Sequence, residues 1–526
     1  MAASHLETRM ESALKAYSLH RATTFYLLLA FVYLYLTLFL VPATPIFFEN
    51  DHFLQMYDSV RMLGGEVIYK DFFQFTFPGT EIWYLALFKT FGQRIWLLNA
   101  TILLLGFSLA WTLLAVSKRL MGSPFIYVAP SIFLFFGFRW YGMDGGHRLF
   151  SCLFALLAIL VLLDKANPKR LLAAGFLCAL SAMFTQTRGV AIFAAIVVFL
   201  VWHFFRQRTN DGWKELVASL SLLAASFGVS LLILTGYFLV TAGIGTFLES
   251  TIFFAQSYNA DPVNNSNLYF QFWRDLFVGS VNRSSLPVDL FYYLLVPIVY
   301  IVPPIYYFVK KPVNPELWRK VMLLSVSGLF LFLVTSGLNP VRLYHVAIPG
   351  IVLFSLWLSR CHKRWIPLTG VGFIVFASVA LCVFGQIKTY PPEVELPSGT
   401  VIFSSDTAAE KYRWINDHTV PGDLVFESYR TVVNFPLMVG NPATISMLRD
   451  TNYTSTEQVE KVIGELRRRP PKYILWNGAW SKANNERASD DHLGPLFDFL
   501  TVNYQLRQIL TTVYGIDIQV WEQKGI

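Results

Sequence analysis

Long apolar runs separated by short polar connections occupy residues 1–389. The first run extends from Thr23 to Val41, which is long enough for one membrane-spanning helix, since a span needs about 20 residues. The whole pattern predicts eleven spanning helices. They are expected at 23–41, 95–116, 124–138, 147–163, 170–186, 189–205, 216–241, 289–309, 320–336, 345–358 and 365–386.

The pattern changes near Tyr390, where the pair Pro391-Pro392 ends the last apolar run and polar residues begin to alternate with apolar ones. Short runs at 401–403, 423–426, 472–476 and 516–521 predict strands, and helices are expected at 406–418, 456–469 and 493–503. Alternating strands and helices indicate a small α/β domain. We therefore expect a polytopic α-helical transmembrane domain at 1–389, with a large external loop at 42–94, and a soluble α/β domain at 390–526.

The composition agrees with a membrane protein. The 526 residues are 55% apolar and 16% aromatic, and the mean hydropathy is +0.48, which is too apolar for a soluble protein. The net charge of +8 does not indicate a nucleic-acid partner, because Lys and Arg stand in short clusters between apolar runs. Membrane lipids are the expected surroundings.

Clusters of Lys and Arg mark one side of the membrane, because they occupy alternate connections between the spans. They are Lys118-Arg119, Lys165 with Lys169-Arg170, Arg206 with Arg208 and Lys214, Lys310-Lys311 with Arg319-Lys320, and Arg360 with Lys363-Arg364. The positive-inside rule places these clusters and the basic N-terminus in the cytoplasm, and an odd number of spans places the C-terminal domain outside. That domain contains no cysteine. With the domain order, this suggests a bacterial inner membrane and a periplasmic C-terminal domain.

The first external loop is dense in polar and aromatic residues. It carries, in order, Asp51, Tyr57, Gly64-Gly65, Tyr69-Lys70-Asp71 and Pro78-Gly79-Thr80, followed by an aromatic-rich segment. This order resembles the first external loop of the GT-C glycosyltransferases. Within that superfamily it looks most like the branch of protein O-mannosyltransferases and lipid A aminoarabinose transferases.

The resemblance implies a reaction and a base. Members take a sugar from a polyprenyl-phosphate carrier outside the cytoplasm and transfer it with inversion, using an acidic residue just after the first span. By position that residue is Asp51, and Tyr69 matches the glycine-then-tyrosine part of the loop. Two positions depart from the family: His52 replaces an acidic neighbour, and Phe77 precedes Pro78 where the aminoarabinose branch has Lys.

Two external aspartates fit the chemistry of sugar transfer. A base must take the proton of the acceptor hydroxyl, and a carboxylate near C1 also stabilises positive charge on the sugar. Asp51 is the candidate for this role, with a solvated loop aspartate as the alternative. Asp144, in the second external loop 139–148, is the candidate for a second acid, although Asp-Gly-Gly is also typical of a turn. Asp144, His147 and Asp51 together have the ligand types of a divalent cation site, but their spacing alone leaves the cofactor unknown.

A leaving lipid phosphate requires cationic donors, and the planar guanidinium group of Arg matches phosphate oxygens best. Arg342 lies in the turn 339–345 and resembles the family's late loop near the carrier phosphate; the alternative is a side chain that extends to the membrane interface. Further external cations are Lys70, Arg148, Arg188, Arg274 and Arg283. The residues expected to contact substrate are Tyr69, Lys70, His147, Arg148, Arg188, Arg342, Tyr344 and His345.

Other functions remain open from the sequence. Phosphate-loop, dinucleotide-binding and HExxH motifs are absent from the chain, so ATP-driven transport, nucleotide-sugar chemistry and zinc proteolysis lose support. A flippase for lipid-linked sugars is disfavoured because the charged residues cluster in external loops and not at mid-span. An inactive scaffold is conceivable because of His52. The acceptor is a glycan, a lipid or a protein, and the aromatic segment 242–288 either forms the mouth of a prenyl groove or caps the bundle.

Overall fold

The computed structural model describes residues 2–207, 212–254, 258, 268–278, 286–309, 314–388, 392–451, 453–483, 493–512 and 517–525. Arg283 and much of the segment 242–288 lie outside these residues. Helices dominate the chain up to Lys388, as the apolar pattern predicts. In chain order they are α1 (Ala2–Leu38), α2 (His52–Leu63), α3 (Gly79–Phe91), α4 (Trp96–Lys118), α5 (Phe125–Gly142), α6 (His147–Leu162), α7 (Pro168–Phe184), α8 (Gln186–Gln207), α9 (Gly212–Thr241), α10 (Ile244–Phe253), α11 (Leu268–Val278), α12 (Leu286–Val309), α13 (Pro315–Leu333), α14 (Pro340–Val346), α15 (Ile348–Leu358) and α16 (Trp365–Lys388).

Seven of the described helices are long and apolar enough to cross a membrane, or eight if the bent pair α14 and α15 forms one span. The bend between these two helices is 67°. The protein is therefore a multi-pass membrane protein, but the count of eleven spans stays a prediction. Helices α6 and α7, with 16 and 17 residues, are shorter than the roughly 20 residues that a span needs. Helix α13 carries the charged residues Glu316, Arg319 and Lys320 in its first two turns, which shortens its apolar part.

Strands appear mainly after the last long helix. The hairpin β3 (Glu393–Leu396) and β4 (Gly399–Ile402) is followed by a four-stranded sheet of β5 (Val425–Glu427), β6 (Tyr473–Asn477), β7 (Tyr504–Thr511) and β8 (Asp517–Gln523), ordered β5-β6-β8-β7. Strands β5 and β6 are parallel, and the other pairs are antiparallel. Helices α17 (Asp406–His418), α18 (Thr456–Arg468), α19 (Gly478–Ala483) and α20 (Gly494–Asn503) lie between the strands. We call residues 392–525 the C-terminal region. Its other strands and helices overlap those expected from the sequence, whereas β3, β7 and α19 were not predicted. A two-residue hairpin, β1 (Phe39–Leu40) with β2 (Thr44–Pro45), follows α1.

The predicted first external loop, residues 42–94, packs between the bundle and the C-terminal region and forms a layer there. On one side the N–H of Phe73 donates a hydrogen bond of 3.0 Å to the carbonyl of Thr444. On the other side Gly79 lies so close to α7 that an added Cβ would be 2.6 Å from the carbonyl oxygen of Met183. Glycine is therefore required at this contact, and the loop is fixed between two packed surfaces.

A pair of buried carboxyl groups lies inside this layer. The side-chain amide of Gln74 donates to Asp58 over 3.1 Å and to Glu81 over 3.2 Å, and both acids are fully buried. Burial raises the pKa of Asp58 to about 7 against the opposing effects of Arg61 and Gln74. Burial, and then the neighbouring Asp58, raise the pKa of Glu81 well above its usual range.

We expect the substitution Asp58→Asn to weaken the pH dependence of stability. The folded state binds more protons than the unfolded state between the ordinary pKa of about 4 and the folded value of about 7. Stability is therefore lost as the pH rises through this window. Thermal unfolding in detergent should show the melting temperature of the wild type falling over this range and that of the variant falling less. The exposed Asp417 provides the control Asp417→Asn, and equal slopes in all three proteins would contradict this account.

Candidate active site

Asp51 lies at the start of α2, directly outside the helical bundle. Its carboxylate pairs with Arg148 over 3.3 Å and with Arg430 over 2.7 Å. Its side chain is nonetheless 40% exposed, so a substrate hydroxyl can approach it. Partial burial acts to raise the pKa of Asp51, but Arg430 and Arg148 outweigh this effect and hold the pKa well below its usual range. Asp51 is therefore ionised near neutral pH.

Asp144 lies in the short loop between α5 and α6, where it makes both a turn hydrogen bond and an ion pair. One carboxylate oxygen accepts the N–H of Gly146 over 2.9 Å, as in a turn, and the other pairs with Arg148 over 2.8 Å. A Cβ at Gly146 would lie 2.6 Å from the Gln55 side chain and 2.9 Å from Asp144, so a larger residue would displace these two side chains. Burial alone would raise the pKa of Asp144, but Arg148 outweighs it and holds the pKa below its ordinary value.

Arg148 is the link between the two aspartates. Its guanidinium group donates to Asp51 and Asp144 at once, a fork geometry for which Arg is suited and Lys is not. His147 instead contacts the side chain of Gln55 over 3.0 Å. Among the described residues there is no group of three or more His, Cys, Asp or Glu side chains that could hold a metal ion.

His52, which replaces an acidic residue of the resembled family, is completely buried. Its Nε2 contacts the carbonyl of Phe48 over 3.1 Å, and its Nδ1 lies 4.0 Å from Asp144. Burial lowers the pKa of His52 to about 4, although Asp144 opposes this. The side chain is therefore neutral near pH 7 and adds no charge to the pair of aspartates.

Three predicted cations meet at one cavity of about 170 Å³, which we call the arginine cavity. Its walls include Arg148, Arg188 and Arg342, together with His147 and Tyr258. The sequence places these residues on α6, α8, α14 and the segment after α10, so the cavity forms only when the bundle has folded.

Backbone carbonyls and hydroxyls hold Arg188 and Arg342 in place. Arg188, which is 5% exposed, donates to the carbonyl of Arg148 over 3.1 Å and to Ser151 over 3.0 Å. Arg342 donates to the Tyr258 hydroxyl over 3.0 Å, and Asn339 caps its helix by accepting the N–H of Arg342 over 2.9 Å. These acceptors are neutral, so they orient the guanidinium groups without cancelling their charge, and the cavity suits an anion.

The other predicted contact residues lie outside this cavity. Lys70 is exposed and lines neither of the two cavities described here. Tyr69 is buried and donates a hydrogen bond from its hydroxyl to the carbonyl of Thr76 over 2.6 Å. Thr76 lines the cavity, so Tyr69 contacts a lining residue but does not line the cavity itself.

Tyr344 and His345 belong to the packed core of the bundle. Tyr344 stacks on Phe133 with ring centroids 5.3 Å apart, and the Nδ1 of His345 contacts the carbonyl of Val341 over 2.6 Å. Both side chains are fully buried. The sequence pattern predicted a turn at 339–345, whereas the two residues lie in the helix Pro340–Val346. The pattern also gave no indication of which way their side chains point.

A larger cavity of about 470 Å³ lies where the outer ends of α1 and α16 meet the C-terminal region. We call it the apolar cavity. Its walls include Leu40, Leu381, Gly385 and Phe403, and its polar lining includes Glu49, Lys411 and Arg139. Leu381 is 60% exposed, so the cavity reaches the outer surface of the bundle along α16.

Sequence reasoning missed Arg430, Glu49 and Lys411. Glu49 pairs with Lys411 over 2.7 Å and with Arg430 over 3.6 Å, which joins the apolar cavity to the ion pairs of Asp51. Glu49 lies two positions before Asp51 in the same polar stretch. This proximity is the sequence feature that could have marked Glu49 as a candidate site residue. Lys411 is 362 positions from Glu49 and Arg430 is 379 positions from Asp51, and nothing in their local sequence marks them.

No protein-family model and no curated protein sequence matches this chain. Solved structures do match it. The crystal structure of ArnT from Cupriavidus metallidurans bound to undecaprenyl phosphate is 12% identical and has a TM-score of 0.60, over 95% of this chain and 97% of that chain. The apo form of the same protein is 12% identical, with a TM-score of 0.58 over 96% and 98% of the two chains.

A more distant match is the archaeal oligosaccharyltransferase AglB from Archaeoglobus fulgidus in complex with an inhibitory peptide and a dolichol-phosphate. It is 9% identical, with a TM-score of 0.51 over 96% of this chain and 75% of that chain. At such identities the likeness shows the fold, and it does so along almost the whole sequence. The chain has the fold of these solved structures, which are GT-C glycosyltransferases, as the resemblance of its first external loop implied.

Proposed function

We propose that this protein is an integral membrane glycosyltransferase that moves a sugar, with inversion, from a polyprenyl-phosphate carrier to an acceptor outside the cytoplasm. The observation that carries the proposal is the position of Asp51, an accessible carboxylate paired with Arg148, which itself lines the arginine cavity. The ligands of the ArnT and AglB structures, undecaprenyl phosphate and dolichol-phosphate, support a lipid-phosphate donor.

The arginine cavity is the proposed site of the donor phosphate. The acceptors described for Arg188 and Arg342 are neutral, so the positive charges of the two guanidinium groups would attract phosphate oxygens. Negative charge develops on the phosphate as the bond from C1 to the phosphate oxygen breaks, so oriented cations stabilise the transition state more than the ground state. The aromatic residues Phe254 and Tyr258 line the same cavity, and we assign the first part of the prenyl tail to them.

Asp51 is the proposed general base. As the acceptor oxygen attacks C1, its proton passes to the Asp51 carboxylate, and the prenyl phosphate leaves with the electron pair of the broken bond. Arg148 holds Asp51 and Asp144 together, so Asp144 fixes the guanidinium group that orients the base. The proton transfer contributes on the order of a hundredfold to ten-thousandfold to the rate.

The apolar cavity is the proposed side of the acceptor. It adjoins the C-terminal region, and its residue Glu49 shares Arg430 with Asp51. An acceptor in this cavity and a donor in the arginine cavity would approach Asp51 from opposite sides. In this proposal residues 390–526 form an external domain over the membrane domain 1–389, the N-terminus is cytoplasmic, and the membrane is a bacterial inner membrane.

The first test is sugar transfer by Asp51→Asn in proteoliposomes. The probes are radiolabelled polyprenyl-phosphate mannose and polyprenyl-phosphate aminoarabinose, offered with lipid, glycan and protein fractions of a bacterial envelope. We expect transfer by the wild type and a loss of about a hundredfold or more in the variant, because the amide cannot accept the proton. Asp406→Asn, at an exposed ion pair of the C-terminal region, is the control and should retain activity.

Other outcomes of this assay would contradict the proposal. Translocation of the lipid-linked sugar without transfer would identify a flippase. Transfer that survives in Asp51→Asn would remove the proposed base, and neither transfer nor translocation by the wild type would indicate a scaffold.

The acceptor side can be tested by filling the apolar cavity. Gly385 lines this cavity, and a Cβ at this position would meet nothing within 4 Å, so Gly385→Phe should fold and occupy the space. The matched control is Gly372→Phe on the same helix, where a Cβ also meets nothing within 4 Å and which is not a wall residue. We expect Gly385→Phe to raise the KM for the acceptor about tenfold and to leave the KM for the donor unchanged. Equal acceptor kinetics in the two variants would place the acceptor elsewhere.

A further inference from the structure

A chain of alternating charges runs from the bundle into the C-terminal region. Arg148 comes from α6, Asp51 and Glu49 come from the first external loop, and Arg430, Lys411 and Glu427 come from the C-terminal region. Every link except the last therefore joins different parts of the molecule. The links are Arg148 to Asp51 at 3.3 Å, Asp51 to Arg430 at 2.7 Å, Arg430 to Glu49 at 3.6 Å, Glu49 to Lys411 at 2.7 Å and Lys411 to Glu427 at 3.3 Å.

Arg430 is the member that touches both acids of the first loop. One of its terminal nitrogens pairs with Asp51, and the other faces Glu49. Asp51 and Glu49 are 40% and 29% exposed, whereas Arg430 is only 19% exposed. The cation is thus the better fixed partner, and it orients the carboxylates.

The segment that carries Arg430 is held rigidly. It follows β5, and the carboxylate of Glu427 accepts the N–H groups of Val432 and Val433 over 2.9 and 3.1 Å. The N–H of Thr431 donates to the carbonyl of Ser446 over 2.9 Å. The backbone on both sides of Arg430 is therefore tied to the sheet and to a neighbouring loop.

We propose that Arg430 is a positioning residue, by which the C-terminal region holds the Asp51 carboxylate in its reactive orientation; this rests on the function proposed above. Arg148 alone holds one oxygen of Asp51 over 3.3 Å and is shared with Asp144. The shorter contact, to the other oxygen, comes from Arg430. Both contacts together fix the rotation of the carboxylate. The C-terminal region thus completes the site and does not only cover it.

Two variants of Arg430 separate charge from geometry. Arg430→Gln removes the cation, so the pKa of Asp51 should rise by at least about one unit. Arg430→Lys keeps the charge but lacks the planar fork that reaches two carboxylates, so the pKa should remain low. The matched control is Arg413→Gln, which breaks an Arg–Asp pair on α17 of the same region.

The pKa of Asp51 can be followed without sugar transfer. The full-length protein in nanodiscs is treated with a carbodiimide, which reacts with protonated carboxyl groups, and labelling of the peptide that contains Asp51 is measured by mass spectrometry against pH. We expect the onset of labelling at a higher pH in Arg430→Gln, and wild-type behaviour in Arg430→Lys and Arg413→Gln.

Steady-state kinetics with the same donor probes provide the second readout. Both Arg430 variants should lower kcat about tenfold or more with little change in the KM for the donor, and the acid limb of the rate profile of Arg430→Gln should move to higher pH. Labelling of Asp51 that does not change in Arg430→Gln would overturn the inference, as would an unchanged kcat in both variants. The carbodiimide labelling does not depend on catalytic turnover. It therefore tests the role of Arg430 even if the wild type transfers no sugar.

Discussion

The ion pairs of Asp51 are the interaction on which the candidate site depends. Charged groups beside a bilayer are costly unless they are paired or functional, and Asp51 is paired on two sides, by Arg148 of the bundle and Arg430 of the C-terminal region. It nevertheless remains partly exposed. A carboxylate held in this way is ionised and oriented, and it is open to a substrate.

The balance of charge around Asp51 fits the proposed donor. Counted as formal charges, the three arginines of the arginine cavity with Arg430 and Lys411, and the four acids Asp51, Asp144, Glu49 and Glu427, leave an excess of one positive charge. A sugar linked to a lipid through a phosphodiester carries one negative charge, which would neutralise this excess. During transfer the phosphate gains a negative charge while Asp51 gains a proton, so the sum over these groups does not change. Such a site requires little electrostatic reorganisation as the reaction proceeds.

Sequence reasoning found the parts of the site that carry local signals. Asp51 lies in a distinctive loop. Asp144, Arg148, Arg188 and Arg342 are charged residues beside apolar spans, where a charge is costly unless it is paired or functional. The sequence did not predict which way a side chain points or which distant residues pair. Tyr344 is buried in the core and Lys70 is exposed to solvent. Arg430 pairs with a residue 379 positions away. The number of spans also remained uncertain because short helices such as α6 and α7 pack inside the bundle, where periodicity alone does not distinguish them from spans.

A structure of the protein in nanodiscs with bound undecaprenyl phosphate would test the central claim most directly. The account predicts the phosphate in the arginine cavity, within hydrogen-bond distance of Arg188 and Arg342 and beside Asp51. A phosphate bound in the apolar cavity, or at any place without contact to these arginines, would contradict it.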